Sequence, residues 1–351
     1  MPDPVTIVIP HFDAATLGDC LAALFEHSDH SQIHVIVVDD GPGHEPLRLA
    51  RERFPQIEVL TNPENLGFSH SCNRGLAHSK TRYACLLNDD TRVTAGWLPP
   101  LIAMCDADQR IAACQPKLLS ATRPEYFDYS GAAGGYVDKL GFTFCRGRIL
   151  EQLEADGGQY DQPAQLSWGC GSALFVRVEA VQEVGLLDVD FFMHFEEIDL
   201  CWRLGLAGYR IMAVPASVVH HHAGWTLPPD SFRKKYLNHR NNLVALFKSL
   251  PLRRLAWVLP VRFFLEWIAA LSYLAGRQGW AALAPPLALA WIALHPLNLW
   301  RRRRQARGLV GIQASVEEAG VYDGSILVDY YARRRRTSAE LIRESGEIED
   351  R

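Results

Sequence analysis

Cys85-Leu86-Leu87-Asn88-Asp89-Asp90-Thr91 ends an apolar run, begun at Tyr83, on two adjacent carboxylates. This reads as a buried strand that surfaces with acid groups at its C-terminal end. In open α/β sheets, that edge is where ligands sit. Two carboxylates held close repel each other unless a cation intervenes. A divalent metal carrying a phosphorylated substrate resolves the conflict. The competing reading is an Asp-rich turn after a strand, since Asn and Asp are common turn formers.

The segments before this stretch favour the ligand reading. Val5-Thr6-Ile7-Val8-Ile9-Pro10 predicts a first strand, ended by Pro10, which has no amide hydrogen to donate. Leu17, Cys20, Leu21 and Leu24 recur at helical spacing. His34-Val35-Ile36-Val37-Val38 predicts a second strand, and it too ends in acids, Asp39-Asp40-Gly41. A short helix over 47–54, a strand over 57–60, a loop at Asn65-Leu66-Gly67-Phe68 and a helix over 69–79 lead back to Cys85. Strands alternating with helices predict an α/β fold with a mostly parallel sheet and flanking helices. Both acid pairs then lie on one sheet edge. One can hydrogen-bond a base or ribose, and the other can hold a metal against a diphosphate. There is no G-x-G-x-x-G or Walker-type loop, so a metal rather than a glycine cradle is expected to neutralise bound phosphates.

Beyond Thr91, a helix is expected over 97–104 and a strand over 111–118. Residues 120–165 are rich in Gly, Asp and Tyr, lack periodicity, and are expected to form a loop-rich insertion covering part of the site. Ser167-Trp168-Gly169-Cys170-Gly171-Ser172 carries small residues that let backbone approach a ligand, or simply turn the chain into a strand over 173–176. A helix over 178–184 stops at Gly185. Phe191-Phe192-Met193-His194-Phe195 then runs into Glu196-Glu197-Ile198-Asp199. These acids suit a helix N-terminus, or one of them serves as a general base desolvated by its aromatic neighbours. A strand over 209–215 precedes His220-His221-His222, three imidazoles that either ligate a metal or merely occupy surface and core positions.

In this order the motifs resemble glycosyltransferase family 2, inverting enzymes of GT-A fold, and most closely the bacterial rhamnosyltransferase-like branch that builds surface polysaccharides. The resemblance spans roughly residues 4–250 and includes Arg240-Asn241-Asn242 and the stretch from Pro215 to Thr226. It implies a nucleotide-sugar donor bound by Pro10, Asp39, Asn65, Gly67, Asn73, Asn88, Asp89, Trp168 and Gly169, with Asp39 at the base or ribose. It implies Mg²⁺ or Mn²⁺ held by Asp90 and His221. Asn88 departs from the family's D-x-D, so Asp90 is assigned most of the metal contact. Glu196-Glu197-Ile198-Asp199 departs from Glu-Asp-x-Asp. Glu197 stands where the base is expected, with Glu196 second, although its extra methylene shifts a carboxylate by more than about 1 Å, an error that matters in catalysis. The acceptor implied is a glycan or a lipid-linked one.

Bulk properties set limits on this reading. A formal charge of −4 over 351 residues gives no sign of a nucleic-acid partner. The eight cysteines form no C-x-x-C pair, and buried reduced thiols are expected. The N-terminus has no basic region and no long apolar core, so no signal peptide is expected. Three regions are expected: a GT-A domain over 1–250, apolar helices over 251–305, and a charged tail over 306–351, poorly ordered from Thr337 onward. Phe263 to Ala275 is apolar except for Glu266, and Trp280 to Trp300 contains no Asp, Glu, Lys or Arg. Pro285, Pro286 and Pro296 interrupt the second run, which favours in-plane or re-entrant helices on the cytoplasmic face of the inner membrane. A true span, a soluble helical cap and a homodimer face are the alternatives. Arg301 to Arg304 is expected among headgroups.

Two other functions compete. A sugar nucleotidyltransferase needs a Gly-rich basic loop after the first strand, which Pro10-His11-Phe12-Asp13-Ala14 does not provide. A carbohydrate-binding or scaffold protein on an inactive transferase fold is the non-enzymatic alternative.

Overall fold

The computed structural model describes residues 5–41, 43–222, 231–309 and 321–342. Thr226 of the His221 motif and the charged residues after 342 lie outside them. The catalytic half runs β1 (Val5–His11), α1 (Leu17–Glu26), β2 (Ile33–Asp39), α2 (Glu45–Arg53), β3 (Glu58–Thr61), α3 (Phe68–His78), β4 (Tyr83–Leu87), β5 (Thr91–Val93), α4 (Leu98–Ala107) and β6 (Ile111–Ser120). Four short strands follow: β7 (Gly135–Asp138), β8 (Thr143–Cys145), β9 (Arg148–Ile149) and β10 (Gln152–Leu153). Then come β11 (Ala164–Leu166), β12 (Ala173–Arg177), α5 (Val178–Glu183), α6 (Glu196–Leu206) and β13 (Arg210–His221).

The main sheet has the order β11-β13-β6-β12-β4-β1-β2-β3, with β5 pairing β13 at the rim. β1, β2, β3 and β4 are parallel, as are β6 and β13. β12 is antiparallel to both β4 and β6. This reversal, one of three with those of β5 and β11 against β13, sets the start of β12 beside the C-terminal end of β4. β4 is buried along its whole length, as its unbroken apolar run requires of a central strand. The eight cysteines are free and buried.

Three regions depart from expectation. Residues 120–165 are loop-rich, as expected, but within them β7 to β10 form a small separate sheet that was not. Strands of two to four residues are too short to show alternation. β14 (Val321–Tyr322), in the expected charged tail, joins that sheet parallel to β7, and α11 (Ser338–Ile342), in the part expected to be poorly ordered, buries Ser338 against Gly147 and Tyr160. Pro215 does not end a strand: β13 continues to His221 through a register irregularity between Val214 and Val218, which accommodates the missing donor.

The C-terminal helices are α7 (Phe232–Ser249), α8 (Leu252–Ala275), α9 (Ala284–Leu294) and α10 (Pro296–Gly308). The prolines sit at the first positions of α9 and α10, where a missing amide costs nothing. The chain bends by 81° between the apolar segment 279–294 and α10. Leu255, Val258, Arg262, Glu266 and Ala270 face inward on α8, whereas Phe264, Ile268 and Leu271 are about 60% exposed. The basic block is not wholly outward. Arg302 pairs with Asp188 and Asp190, and Arg303 donates to the carbonyls of Phe247 and Leu250, because four consecutive helical residues wrap around the axis.

Candidate active site

The two acid pairs meet different partners. Asp40 accepts from Asn62 Nδ2 and from the amides of Leu66 and Gly67, at 2.8 and 2.9 Å, so its carboxylate pins the 65–68 loop. Gly67 has φ 90°, and a Cβ there would lie 2.6 Å from the Phe192 ring, so only glycine fits. Asp39 Oδ1 lies 2.6 Å from His44 Nδ1 and borders an open hollow of about 550 Å³ with Arg48, Arg51 and Thr61.

At the end of β4, Asp89 Oδ2 is 2.7 Å from Nδ1 of His11, the last residue of β1. Burial raises the Asp89 carboxyl above its usual range, while His11 opposes the shift. Asp90 turns the other way. The β5–β13 pairing sets Thr91 opposite His221, and the His222 amide donates to the Asp90 carbonyl at 2.9 Å. Asp90 Oδ1 thereby lies 3.2 Å from His221 Nε2. His221 is the buried imidazole of the three; the strand's alternation leaves His220 and His222 partly exposed. On its far side, His221 Nδ1 is 3.1 Å from Asp128 Oδ1. Burial works against a charge on His221, but Asp128 and Asp90 outweigh it and push its pKa up to about 10.

The acidic motif opens α6 behind a strained turn. Phe192, His194 and Phe195 have φ of 65°, 68° and 73°, values costly for side chains of this size. Asn241 holds this turn: its Nδ2 donates to the carbonyls of Phe191, Met193 and His194 at 3.1, 3.0 and 2.7 Å. Arg240 Nη2 donates to the carbonyls of Asp190 and Phe191. Glu196 is buried and Glu197 half-buried at the helix start, each with one carboxylate oxygen that is enclosed and lacks a hydrogen-bond partner among the described residues. Burial pushes Glu197 up to about 7, against hydrogen bonds from its own amide and those of Ile198 and Gly171. Burial and the neighbouring Glu197 hold Glu196 well above the carboxylate range. Asp199 is separate. It ion-pairs with Arg203 Nε at 2.8 Å and Lys248 Nζ at 2.7 Å, and so ties α6 to α7.

One segment joins these parts. The Ser172 carbonyl accepts from the Asn88 amide at 3.0 Å, Ser172 Oγ is 3.3 Å from His221 Nε2, and the Gly171 amide reaches Glu197. Residues scattered over more than a hundred positions therefore share one wall.

Residues 84–301 match Glycosyl transferase family group 2, and residues 6–157 match Glycosyl transferase family 2. The chain belongs to glycosyltransferase family 2.

As a family 2 glycosyltransferase it works from a nucleotide-sugar donor. It is 25% identical over 240 residues to the N-acetylglucosaminyl-diphospho-decaprenol L-rhamnosyltransferase of Mycobacterium tuberculosis, covering 61% of this chain and 74% of that protein. Its fold is GT-A, shared with GalNAc-T7 solved with UDP, GalNAc and Mn²⁺ (TM-score 0.56, 16% identity, 70% of this chain, 48% of that one). It is also shared with the mannosyltransferase PcManGT of Pyrobaculum calidifontis solved with GDP-Man and Mn²⁺ (TM-score 0.50, 17% identity, 88% and 84%).

In this glycosyltransferase Pro10, Asn65, Gly67, Asn88 and Asp89 line a cleft of about 160 Å³ with His11, Phe12, Phe192, Met193 and Arg233. Four expected donor-site residues lie off this cleft: Asp39, which borders the separate hollow, and three that pack within the protein. Trp168 is 2% exposed, donates from Nε1 to the Tyr136 carbonyl at 3.0 Å, and fills the space that Gly135 leaves open. Asn73 clamps both backbone groups of Leu187, at 2.7 and 2.9 Å. Gly169 packs against Leu174. Each is a packing residue because its polar atoms are used within the protein or it has none. Asp128, His11 and Arg233 join the site without having been expected. Asp128 lay in the segment read as loop, and no spacing links it to His221.

The donor set suits a hard divalent ion. Asp90 Oδ1 faces His221 Nε2, and a Mn²⁺ or Mg²⁺ ion held by this pair would have to displace the proton that the two acids stabilise on the ring. Among the described residues no three His, Cys, Asp or Glu side chains converge on one ion position. Substrate phosphates normally complete such sites.

Proposed function

We propose that the protein is an inverting, metal-assisted hexosyltransferase that moves a sugar from dTDP-rhamnose or a UDP-sugar to a glycan or lipid-linked acceptor in surface polysaccharide synthesis. The observation that carries the reading is the 169–172 segment, which touches the Glu197, His221 and Asn88 motifs at once. The M. tuberculosis rhamnosyltransferase, named for a diphospho-decaprenol acceptor, supports the acceptor class.

Asp90 and His221 would hold Mg²⁺ or Mn²⁺, which would supply positive charge against the departing nucleoside diphosphate. Asp39 and the adjoining hollow receive the base or ribose. Glu197 is the base: with a pKa of about 7 it is partly ionised at neutral pH, and its partnerless oxygen is free to accept a hydroxyl proton. Glu196, held higher, keeps its proton and so leaves its neighbour the negative charge. The acceptor oxygen loses its proton to Glu197 and bonds to the anomeric carbon. The bond from that carbon to the diphosphate oxygen breaks, and its electron pair leaves with the phosphate. A single displacement inverts the centre.

Exposed Phe264, Ile268, Leu271 and Trp280 fit a peripheral seat on the cytoplasmic face of the inner membrane, which suits a lipid-linked acceptor. The test is nucleotide release from a panel of dTDP-, UDP- and GDP-sugars, with and without chelator, using lipid extract as acceptor. One donor class is expected to stand out, and chelator is expected to silence it. A flat response across the panel overturns the reading.

A further inference from the structure

The acids on the cleft wall are already engaged, Asp40 by the 62–67 segment and Asp89 by His11. The wall also carries Arg233, the second residue of α7, whose guanidinium carbon lies 4.3 Å from the centroid of the Phe192 ring. Among the described residues Arg233 has no carboxylate partner, whereas Arg203, Arg262 and Arg302 are all paired with acids. A cation on an aromatic face keeps its N–H groups free while the ring fixes its plane. The oxygens of those acids are turned to donors within the fold, which leaves the Arg233 guanidinium as a cation presented to whatever enters.

Resting on the nucleotide-sugar reading, we propose that Arg233 is a catalytic residue that binds the donor diphosphate and stabilises it as it leaves. Arg233 lines the same cleft as Asn88 and Asp89, whose chain neighbour Asp90 faces His221. As the anomeric carbon–oxygen bond breaks and its electron pair passes to the diphosphate, a guanidinium fork can pair with two phosphate oxygens. A transferable anion is the class of ligand that such a fork recognises. A uronate sugar carries the same charge but would place it on the donor's sugar rather than its diphosphate.

The test measures binding of UDP or dTDP and of the matching nucleoside, in EDTA, to the full-length protein and to Arg233→Ala and Arg233→Lys. The exposed side chain makes no hydrogen bond among the described residues, so an unchanged melting temperature is expected to confirm that both variants are folded. The wild type should prefer the diphosphate over the nucleoside even without metal. Arg233→Ala should lose about tenfold of that preference, and Arg233→Lys less, because an ammonium is a point charge without the fork. An undiminished preference in Arg233→Ala overturns the assignment, as does an effect confined to uronate donors. Wild-type protein that binds no nucleoside diphosphate, with or without Mn²⁺, overturns the nucleotide-sugar reading instead.

Discussion

His221 Nδ1 lies 3.1 Å from Asp128 Oδ1, with both side chains buried, and Asp90 waits on the opposite side of the same ring. A carboxylate behind a ligating imidazole fixes its orientation and raises its basicity. Asp128 is therefore a positioning residue for the proposed metal site. Asp128→Asn should weaken Mn²⁺ binding, read by electron paramagnetic resonance, by about 10–100-fold. Nucleoside diphosphate binding in EDTA should stay unchanged. Unaltered Mn²⁺ affinity would sink this role.

Glu197 carries a pH signature. Its pKa is raised from 4.5 to about 7, chiefly by burial, so the basic form accumulates as pH rises through 7. Turnover at saturating donor and acceptor should climb over that window and then level off. Glu197→Gln should keep nucleoside diphosphate affinity but lose about 10²–10⁴ in kcat. Wild-type turnover in this variant would remove Glu197 from the mechanism.

The same shift affects stability. A carboxyl with a raised pKa binds its proton more tightly folded than unfolded, so its contribution is full below the ordinary value of 4.5 and is lost as pH rises through about 7. Glu197→Gln removes that loss. At pH 8 the variant should unfold at a higher temperature than wild type, by roughly 5 °C. Equal melting at pH 8 would mean that burial of Glu197 is relieved by water.

Much of this was legible in the residues themselves. β1, β2 and β4 were evident from β-branched or apolar runs, although β1 does not end at Pro10 as expected but pairs on through His11 opposite Asp39. The small sheet was not, since two-residue strands such as Arg148–Ile149 carry no period. Neither was the turn before α6. Its three positive-φ residues are Phe192, His194 and Phe195, none of which local propensity would choose. Trp168 was assigned to the donor site by the resemblance alone, and its burial, its bond to the Tyr136 carbonyl and its contact with Gly135 place it in the core.

That turn depends on Asn241. Its side chain is fully buried, and its amide nitrogen serves three carbonyls from a helix that follows the acids by more than forty positions. Asn241→Ala leaves those carbonyls without their donor, at a cost of about 2 kcal/mol. The relaxed turn should also shift the pH midpoint of turnover away from about 7, because Glu197 sits directly behind it. A lower melting temperature with an unmoved pH midpoint would make Asn241 purely structural.

The outer face of α8 poses the remaining question. Arg262 and Glu266 are 2% exposed and bind Leu140 and His239, so one face of the helix is anchored to the catalytic half. Phe264, Ile268 and Leu271 are 66%, 58% and 63% exposed on the other, a contiguous apolar strip. Such a patch marks a binding surface, and the neighbouring Trp267 and Trp280 favour a lipid interface. Replacing Phe264, Ile268 and Leu271 together with Ser should cut co-sedimentation with anionic phospholipid vesicles by about tenfold or more. Turnover on a water-soluble acceptor should persist, because the anchored face is untouched. Full vesicle binding by the triple variant, combined with dissociation of a wild-type dimer in size-exclusion chromatography, would assign the strip to a second copy of the chain instead.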